Sequence, residues 1–284
     1  RFALVTGLTL AMGMAGAVGG QMPLAAAVAA VGWRGTMWAA AIVAGLLAVV
    51  LWLLVRDGDH PAAAVPEGHG LGAGLRMVLA TPHTYVIALY SLTMAGPMLA
   101  FAGLWGVPYL MQMHGLERSD AALTTSAMLI GWGIGSPLTG WISDRMGRRK
   151  PALVFAALGA LVSAGVALYL PGLDLATRQV WLFLMGLTSG GFVLSFATGR
   201  EYAPAWAGGA ALGVVNTASM ASGAIFQPLI GWLLDLNWEG ASAAGVRVYG
   251  PQAWETAFLA VLACQVVALA CAVISKETRC RHLR

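Results

Sequence analysis

Eight apolar runs separated by short polar or glycine-rich breaks organise the chain, at about 2–22, 36–55, 84–111, 121–142, 152–170, 179–199, 209–234 and 254–274. A helix needs about 20 such residues to cross a bilayer core of ~30 Å, and each run comes close to or exceeds that length. Lipid offers the backbone no hydrogen-bond partners, so spans of this kind predict helices that satisfy their polar groups internally. The fold class read from the pattern is an all-α polytopic membrane protein. The longest break, 56–82, is rich in Gly, Ala, Pro and His and reads as a linker, with a short helix expected near Leu71–Leu79 on the membrane surface. A second sizeable loop covers 237–253.

Composition agrees with a lipid solvent. The 284 residues are 59% hydrophobic and 10% charged, where a soluble domain carries about 25% charge. The net charge of +4 is no nucleic-acid signal, because its carriers gather at helix ends. With the first residue placed in the cytoplasm, the cytoplasmic segments hold twelve of the 16 Lys and Arg: Arg1, Arg56, Arg76, Arg145, Arg148, Arg149, Lys150, Arg200, Lys276, Arg279, Arg281 and Arg284. Arg34, Arg118, Arg178 and Arg247 fall outside. This asymmetry puts both ends of the chain in the cytoplasm. Cys264 and Cys271 read as small core residues, and Cys280 lies in the tail with no metal-site spacing. His60, His69 and His83 read as solvated loop histidines, so no metal and no cofactor is expected. The chain opens on Arg1 directly followed by an apolar run, without a signal-peptide pattern, and is expected to begin partway into a longer protein.

The densest polar stretch is 140–151, GWISDRMGRRKP, which carries five of the chain's charged residues in seven positions. A basic loop of any order could serve only to fix orientation. Here Gly140 and Gly147 permit a tight turn, and Asp144 is placed to cap the next helix or to accept from Arg148 or Arg149. The order G-x-x-S-D-R-x-G-R-R-K resembles the loop signature of the major facilitator superfamily, with Ile142 and Ser143 at its Leu and Ala positions. The resemblance implies a transporter in which Gly140, Asp144, Arg145, Gly147, Arg148 and Arg149 latch the cytoplasmic gate.

An internal repeat supports the same architecture. Gly7, Met14, Ala15 and Gln21 match Gly213, Met220, Ala221 and Gln227, and after a one-residue slip Pro23, Leu24, Trp33 and Gly35 match Pro228, Leu229, Trp238 and Gly240. The offset of about 205 residues encloses six spans, as two parallel halves related by an axis along the membrane normal would. Residues 1–55 are then the last two helices of the N-terminal half, 56–83 the linker between halves, and 84–284 a complete C-terminal half with its tail. Eight of the twelve helices of the major facilitator fold are present on this reading.

No Asp, Glu, Lys or Arg lies in the middle of a span, so a coupling carboxylate is not expected here: either the transporter is not proton-coupled, or that residue lies elsewhere. The candidate cavity residues are Gln21, Tyr90, Trp105, Asn216 and Gln227. Gln21 and Gln227 are repeat-equivalent, whereas Asn216 pairs with Leu10 and so belongs to one half only. For both glutamines, bonding to a neighbouring helix is the alternative to solute contact. Trp105 and Tyr109 share a helix face, Tyr109 being expected in the outer aromatic belt. Pro97 and Pro108 predict a broken helix. Glycines four apart (Gly16 and Gly20, Gly131 and Gly135, Gly186 and Gly190, Gly209 and Gly213) predict close helix packing.

The first span departs from the family's antiporter signature at Gln21 and Leu24. The 101–111 segment and Arg200–Glu201 are similar to organic-anion and sugar-phosphate permeases and to relatives of lysosomal peptide carriers. Expected partners are the lipid bilayer and a small solute (an organic anion, sugar phosphate or peptide), with a proton or other ion open as the coupling partner. The expected setting is the bacterial inner membrane, as a monomer. The other classes weighed are a transporter-fold solute sensor or partner subunit and a non-functional fragment. No nucleophile–base pair or phosphate-binding loop points to an enzyme, and no charged filter to a channel.

Overall fold

A computed structural model describes residues 2–55, 70–243 and 245–281; side chains at 14, 17–22, 25 and 26 lie outside that description. Ten helices carry the fold among these residues. They are α1 (Phe2–Leu54), α2 (Leu71–Leu79), α3 (Pro82–Pro97), α4 (Gly106–His114), α5 (Arg118–Met146), α6 (Lys150–Tyr169), α7 (Leu175–Ser189), α8 (Leu194–Tyr202), α9 (Gly208–Leu236) and α10 (Pro251–Ile274). Six helical stretches among the described residues are long and apolar enough to cross a membrane: Ala27–Leu54, Pro82–His114, Lys150–Tyr169, Leu175–Tyr202, Ala205–Leu236 and Pro251–Ile274. The chain is an integral membrane protein with multiple helical spans. Its burial follows the inversion that lipid permits: Trp52 is 81% exposed, while Ser91, Ser189, Ser195 and Gln265 are buried inside.

Two breaks differ from the pattern-based reading. The first two apolar runs are joined by helix through Pro23 and meet at a kink, where Gly32 has φ 72 and ψ 166. The Ala- and Val-rich stretch between them carries Arg34 as its one charged residue and stays helical through it, so a single glycine in the left-handed half of φ space replaces the expected loop. In the third run, Pro97 removes one backbone donor, and the chain continues from Met98 to Trp105 as a π-helix before α4 begins. The Gly106 N–H donates to the Phe101 carbonyl, five residues back. The helix that Pro97 and Pro108 were expected to break thus changes its hydrogen-bond register after Pro97 and continues through Pro82–His114.

α5 lies at the centre of the packing, against α7 on one side and the start of α1 on the other. The approach to α7 is set by glycine: a Cβ on Gly135 would overlap the Leu187 carbonyl, and one on Gly186 the Met128 carbonyl. By contrast, Gly16, Gly209 and Gly213 face open space. The core continues through Ile87, Tyr90, Met94 and Phe101 to Phe192, Trp254 and Phe258. α2 falls where the linker reading placed a short helix; Gly74 and Val78 are buried, Gly74 lying against Trp206 and Ala207. The 237–253 loop holds a two-stranded antiparallel ribbon, β1 (Ser242–Ala243) with β2 (Val246–Arg247). Residues 56–69 of the linker, including His60 and His69, lie outside the described residues, whereas His83, expected in a solvated loop, lies in α3 with its ring 5.5 Å from that of Tyr202.

Candidate functional site

The charged loop between α5 and α6 builds a closed ion-pair cluster at one end of the bundle. Gly147 ends α5 in the left-handed conformation, φ 63, and this turn brings Arg149 back over the last turn of the helix. Arg149 is 2% exposed. Its Nη1 donates to Asp144 Oδ1 at 2.7 Å and to Ser143 Oγ at 3.0 Å. Its Nε and Nη2 donate to Glu201 Oε1 at 3.1 and 2.8 Å. Ser143 donates onward to the Arg148 carbonyl at 3.0 Å, so the hydroxyl at the signature's Ala position adds a link. Burial acts to lower the Arg149 pKa, but its bonds to Glu201 and Asp144 win and hold it above the ordinary guanidinium value.

Asp144 ties this cluster to α1. Its Oδ2 accepts from the backbone N–H of Leu4, near the start of the described part of α1, at 3.1 Å. A Cβ on Gly140 would lie 2.6 Å from the Ala3 carbonyl, so Gly140 lets the start of α1 reach Asp144. Asp144 therefore bonds to the backbone of α1 and not to that of the following helix. That helix is capped by Glu277, which accepts from the N–H groups of Arg149 and Lys150 at 2.8 and 3.2 Å and pairs with Arg148 Nε at 3.7 Å. Burial acts to raise the Glu277 carboxyl, yet those N–H groups, that of Arg279 and the Arg148 charge hold it below the usual carboxylate range. Thr278 Oγ1 donates to Glu201 Oε2, and Tyr202 Oη donates to the Lys276 carbonyl at 2.8 Å. The tail is thereby folded onto the cluster. Arg145 takes no place in the ring of bonds; its guanidinium lies 5.5 Å from the Trp141 ring centroid.

Glu201, Glu277 and Thr278 are the members that the loop signature does not name. Glu201 had a legible signal, an acid ending a long apolar run. The two tail residues had none, since only the fold-back of the tail brings them there.

The cavity candidates separate in space. Trp105 and Gln227 meet: Trp105 Nε1 donates to the Gln227 carbonyl at 2.9 Å, and Gln227 Nε2 donates to the Leu99 carbonyl at 2.9 Å. This bond ties α9 to the π-helix, whose widened turn leaves carbonyls within reach. Tyr90 is buried in the core, its hydroxyl 3.4 Å from the Leu153 carbonyl. The Gln21 side chain lies outside the described residues. Asn216 is exposed on a cleft of about 490 Å³ between α1, α8 and α9, lined by Phe2, Val5, Thr6, Phe196, Leu212 and Gly213 among others. Leu10 lines the same cleft, so the repeat-equivalent pair Leu10 and Asn216 face a common space. Tyr109 is 5% exposed and sits among Phe101, Trp254 and Phe258. It is a core residue and not part of an aromatic belt. The buried Arg178 donates to the Ala167 carbonyl and to Tyr109 Oη.

This arrangement defines a class, polytopic helical membrane proteins with charge gathered at the bundle end. The chain belongs to the Major Facilitator Superfamily, whose profile matches residues 1–228 and, again, 106–277. The gentisate transporter of Corynebacterium glutamicum is 27% identical over 212 residues, 72% of this chain and 47% of that protein. The membrane sensor protein UhpC of Salmonella typhimurium is 29% identical over 261 residues, 81% of this chain and 58% of that protein. The chain spans about half the length of the curated relatives it matches. Among solved structures, the fucose:proton symporter of E. coli shares the fold with a TM-score of 0.62 at 19% identity, over 85% of this chain and 54% of that one.

Proposed function

We propose that the protein carries a small solute across the membrane by alternating access, as a secondary active or facilitative transporter. In this reading residues 1–55 belong to one six-helix half and residues 84–284 form the other, so that eight helices of a twelve-helix arrangement lie in this sequence. The basic end is cytoplasmic. The observation that carries the reading is the Asp144 bridge, in which one carboxylate holds both the backbone of α1 at Leu4 and the buried Arg149–Glu201 pair. A contact of this kind, between helices of different halves, is a two-state element: formed, it closes one end; broken, it frees α1 to move away from α5. The solute path is the cleft that Leu10 and Asn216 both line. The solute class is a small organic anion, supported by the relative titled as a gentisate transporter.

The test is solute counterflow in proteoliposomes. Asp144→Asn keeps the shape of the side chain but loses its charge, so counterflow is expected to fall about tenfold while membrane expression is retained. Equal loss of counterflow and expression would make the cluster a folding element instead. A second reading, a solute sensor on the transporter fold, is supported by the relative titled a membrane sensor protein. It is distinguished by solute binding with no counterflow.

A further inference from the structure

We propose that the groove between α5, α6 and α7 at the charged end is a lipid site, holding one acyl chain of an anionic phospholipid whose phosphate is bound by Arg148 and Lys150. The groove follows from how the three helices meet. α5 and α6 are joined by a short turn, yet each packs on α7 far more than on the other. Glycine sets both seams. Gly135 and Gly186 bring α5 onto α7, and a Cβ on Gly159 of α6 would lie 2.6 Å from Thr188 Cγ2 of α7. With α7 as the floor, α5 and α6 stand apart as two walls around a space of about 450 Å³. Leu138, Ile142 and Met146 form one wall, Ala152 and Phe155 belong to the other, and Thr188 lies in the floor. The Thr188 hydroxyl donates to the Leu184 carbonyl at 2.7 Å, so it is satisfied within its own helix.

Phe155 is 75% exposed and Met146 46%, so the groove is open along its length. On α5, Pro137, Gly140 and Asp144 face α1, about half a turn of helix away from the stripe of Leu138, Ile142 and Met146. The groove therefore opens on the side of the bundle away from α1. From Leu138 to Met146 it runs about 12 Å along α5, most of the ~15 Å that one leaflet contributes to a hydrocarbon core of ~30 Å. The turn 147–150 crosses its end between Met146 and Pro151, both of which line it. Lys150 opens a helix long and apolar enough to span a membrane, which puts this turn at the level of the headgroups. Arg149 is committed to Asp144 and Glu201. Arg148 is held loosely, its side chain 62% exposed and 3.7 Å from Glu277. Lys150 meets Glu277 through its backbone N–H and not its ammonium. The backbone donors at the start of α6 thus go to Glu277, and two long cationic side chains remain above an apolar slot. That pairing matches a phosphate joined to an acyl chain, as basic sites between membrane helices do for anionic headgroups. A zwitterionic lipid brings its own ammonium, which the same two cations repel.

The experiment is native mass spectrometry of the purified protein in detergent, titrated with phosphatidylglycerol, phosphatidylcholine and soluble glycerol phosphate. One phosphatidylglycerol is expected to bind first, about tenfold tighter than phosphatidylcholine, and excess glycerol phosphate should not displace it. Arg148→Gln combined with Lys150→Gln should bring phosphatidylglycerol to the phosphatidylcholine level. Ile142→Trp, which fills the slot from a partly exposed wall, should weaken phosphatidylglycerol by a similar factor with both charges in place. The proposal is overturned if the two lipids bind alike, if the folded double variant keeps the preference, or if Ile142→Trp leaves binding intact. Displacement by glycerol phosphate would overturn it too, leaving an anion site without a chain. So would a dimer whose formation excludes phosphatidylglycerol, which would give the slot to a second copy. Where the double variant does not fold, Ile142→Trp decides. None of these outcomes depends on solute counterflow, so the transport reading stands or falls separately.

Discussion

Arg149 holds a full charge in a dry place, and its three donor nitrogens are all committed to carboxylates or a hydroxyl. Removing it leaves Asp144 and Glu201 facing each other without compensation. Arg149→Met is therefore expected to cost about 3–5 kcal/mol of stability, read as thermal unfolding in detergent. Adding Glu201→Leu to it should restore part of that loss, because an apolar replacement of a buried pair is often tolerated while half of one is not. A double variant no more stable than the single would place the energy outside the pair. Glu277 gives a pH signature. Its folded pKa lies below the ordinary 4.5, so its contribution is fully present above that value and is lost only as pH falls through the depressed one. Amide exchange in the 275–281 tail should match the wild type's neutral-pH protection at pH 5, in contrast to Glu277→Gln; release of the wild-type tail near pH 6 would contradict this.

Among the elements, α5 and α7 are held by backbone approach and not by large side chains. Gly135→Ala forces a methyl into the Leu187 carbonyl and should destabilise by about 1–3 kcal/mol. Gly165→Ala, in α6 where an added Cβ meets nothing, should be neutral or stabilise by about 0.5–1 kcal/mol. Equal effects at the two sites would remove the packing argument. The helices themselves were legible because their cause is local: runs of apolar residues between polar breaks, and even the short helix at Leu71–Leu79. The junction at Gly32 was not, because the lone charge of Arg34 does not stop a helix, and a kink leaves less trace than a loop. The loop signature named Asp144 and Arg149 but not the direction of their bonds. That Asp144 bonds to the backbone of α1, and that Glu277 caps α6, depends on residues more than a hundred positions away. Tyr109 misled for a related reason, since spacing fixes the face of a helix but not whether that face meets lipid or the partner ring of Trp254.

At the scale of the whole molecule, charge and apolar surface divide the work between them. The apolar surface fixes where the helices sit, while the charged end decides how α1 is held to the rest. One hydrogen-bonded carboxylate and two glycine crossings, Gly140 on Ala3 and Gly7 on Pro137, join α1 to α5 at that end. Beside them, the cleft leaves Leu10 and Asn216 facing one space. Within this joint the Asp144 bond is the polar element, and its loss is the change that frees α1 from the charged end. The most direct measurement is the distance between spin labels at Leu8 on α1 and Met146 at the end of α5, both exposed, in a version with Cys264, Cys271 and Cys280 replaced. In a bilayer, alternating access predicts a short and a long population, with Asp144→Asn and added solute shifting weight between them. One narrow distance, unmoved by either, would contradict a latch and leave the Asp144 cluster as part of a rigid fold.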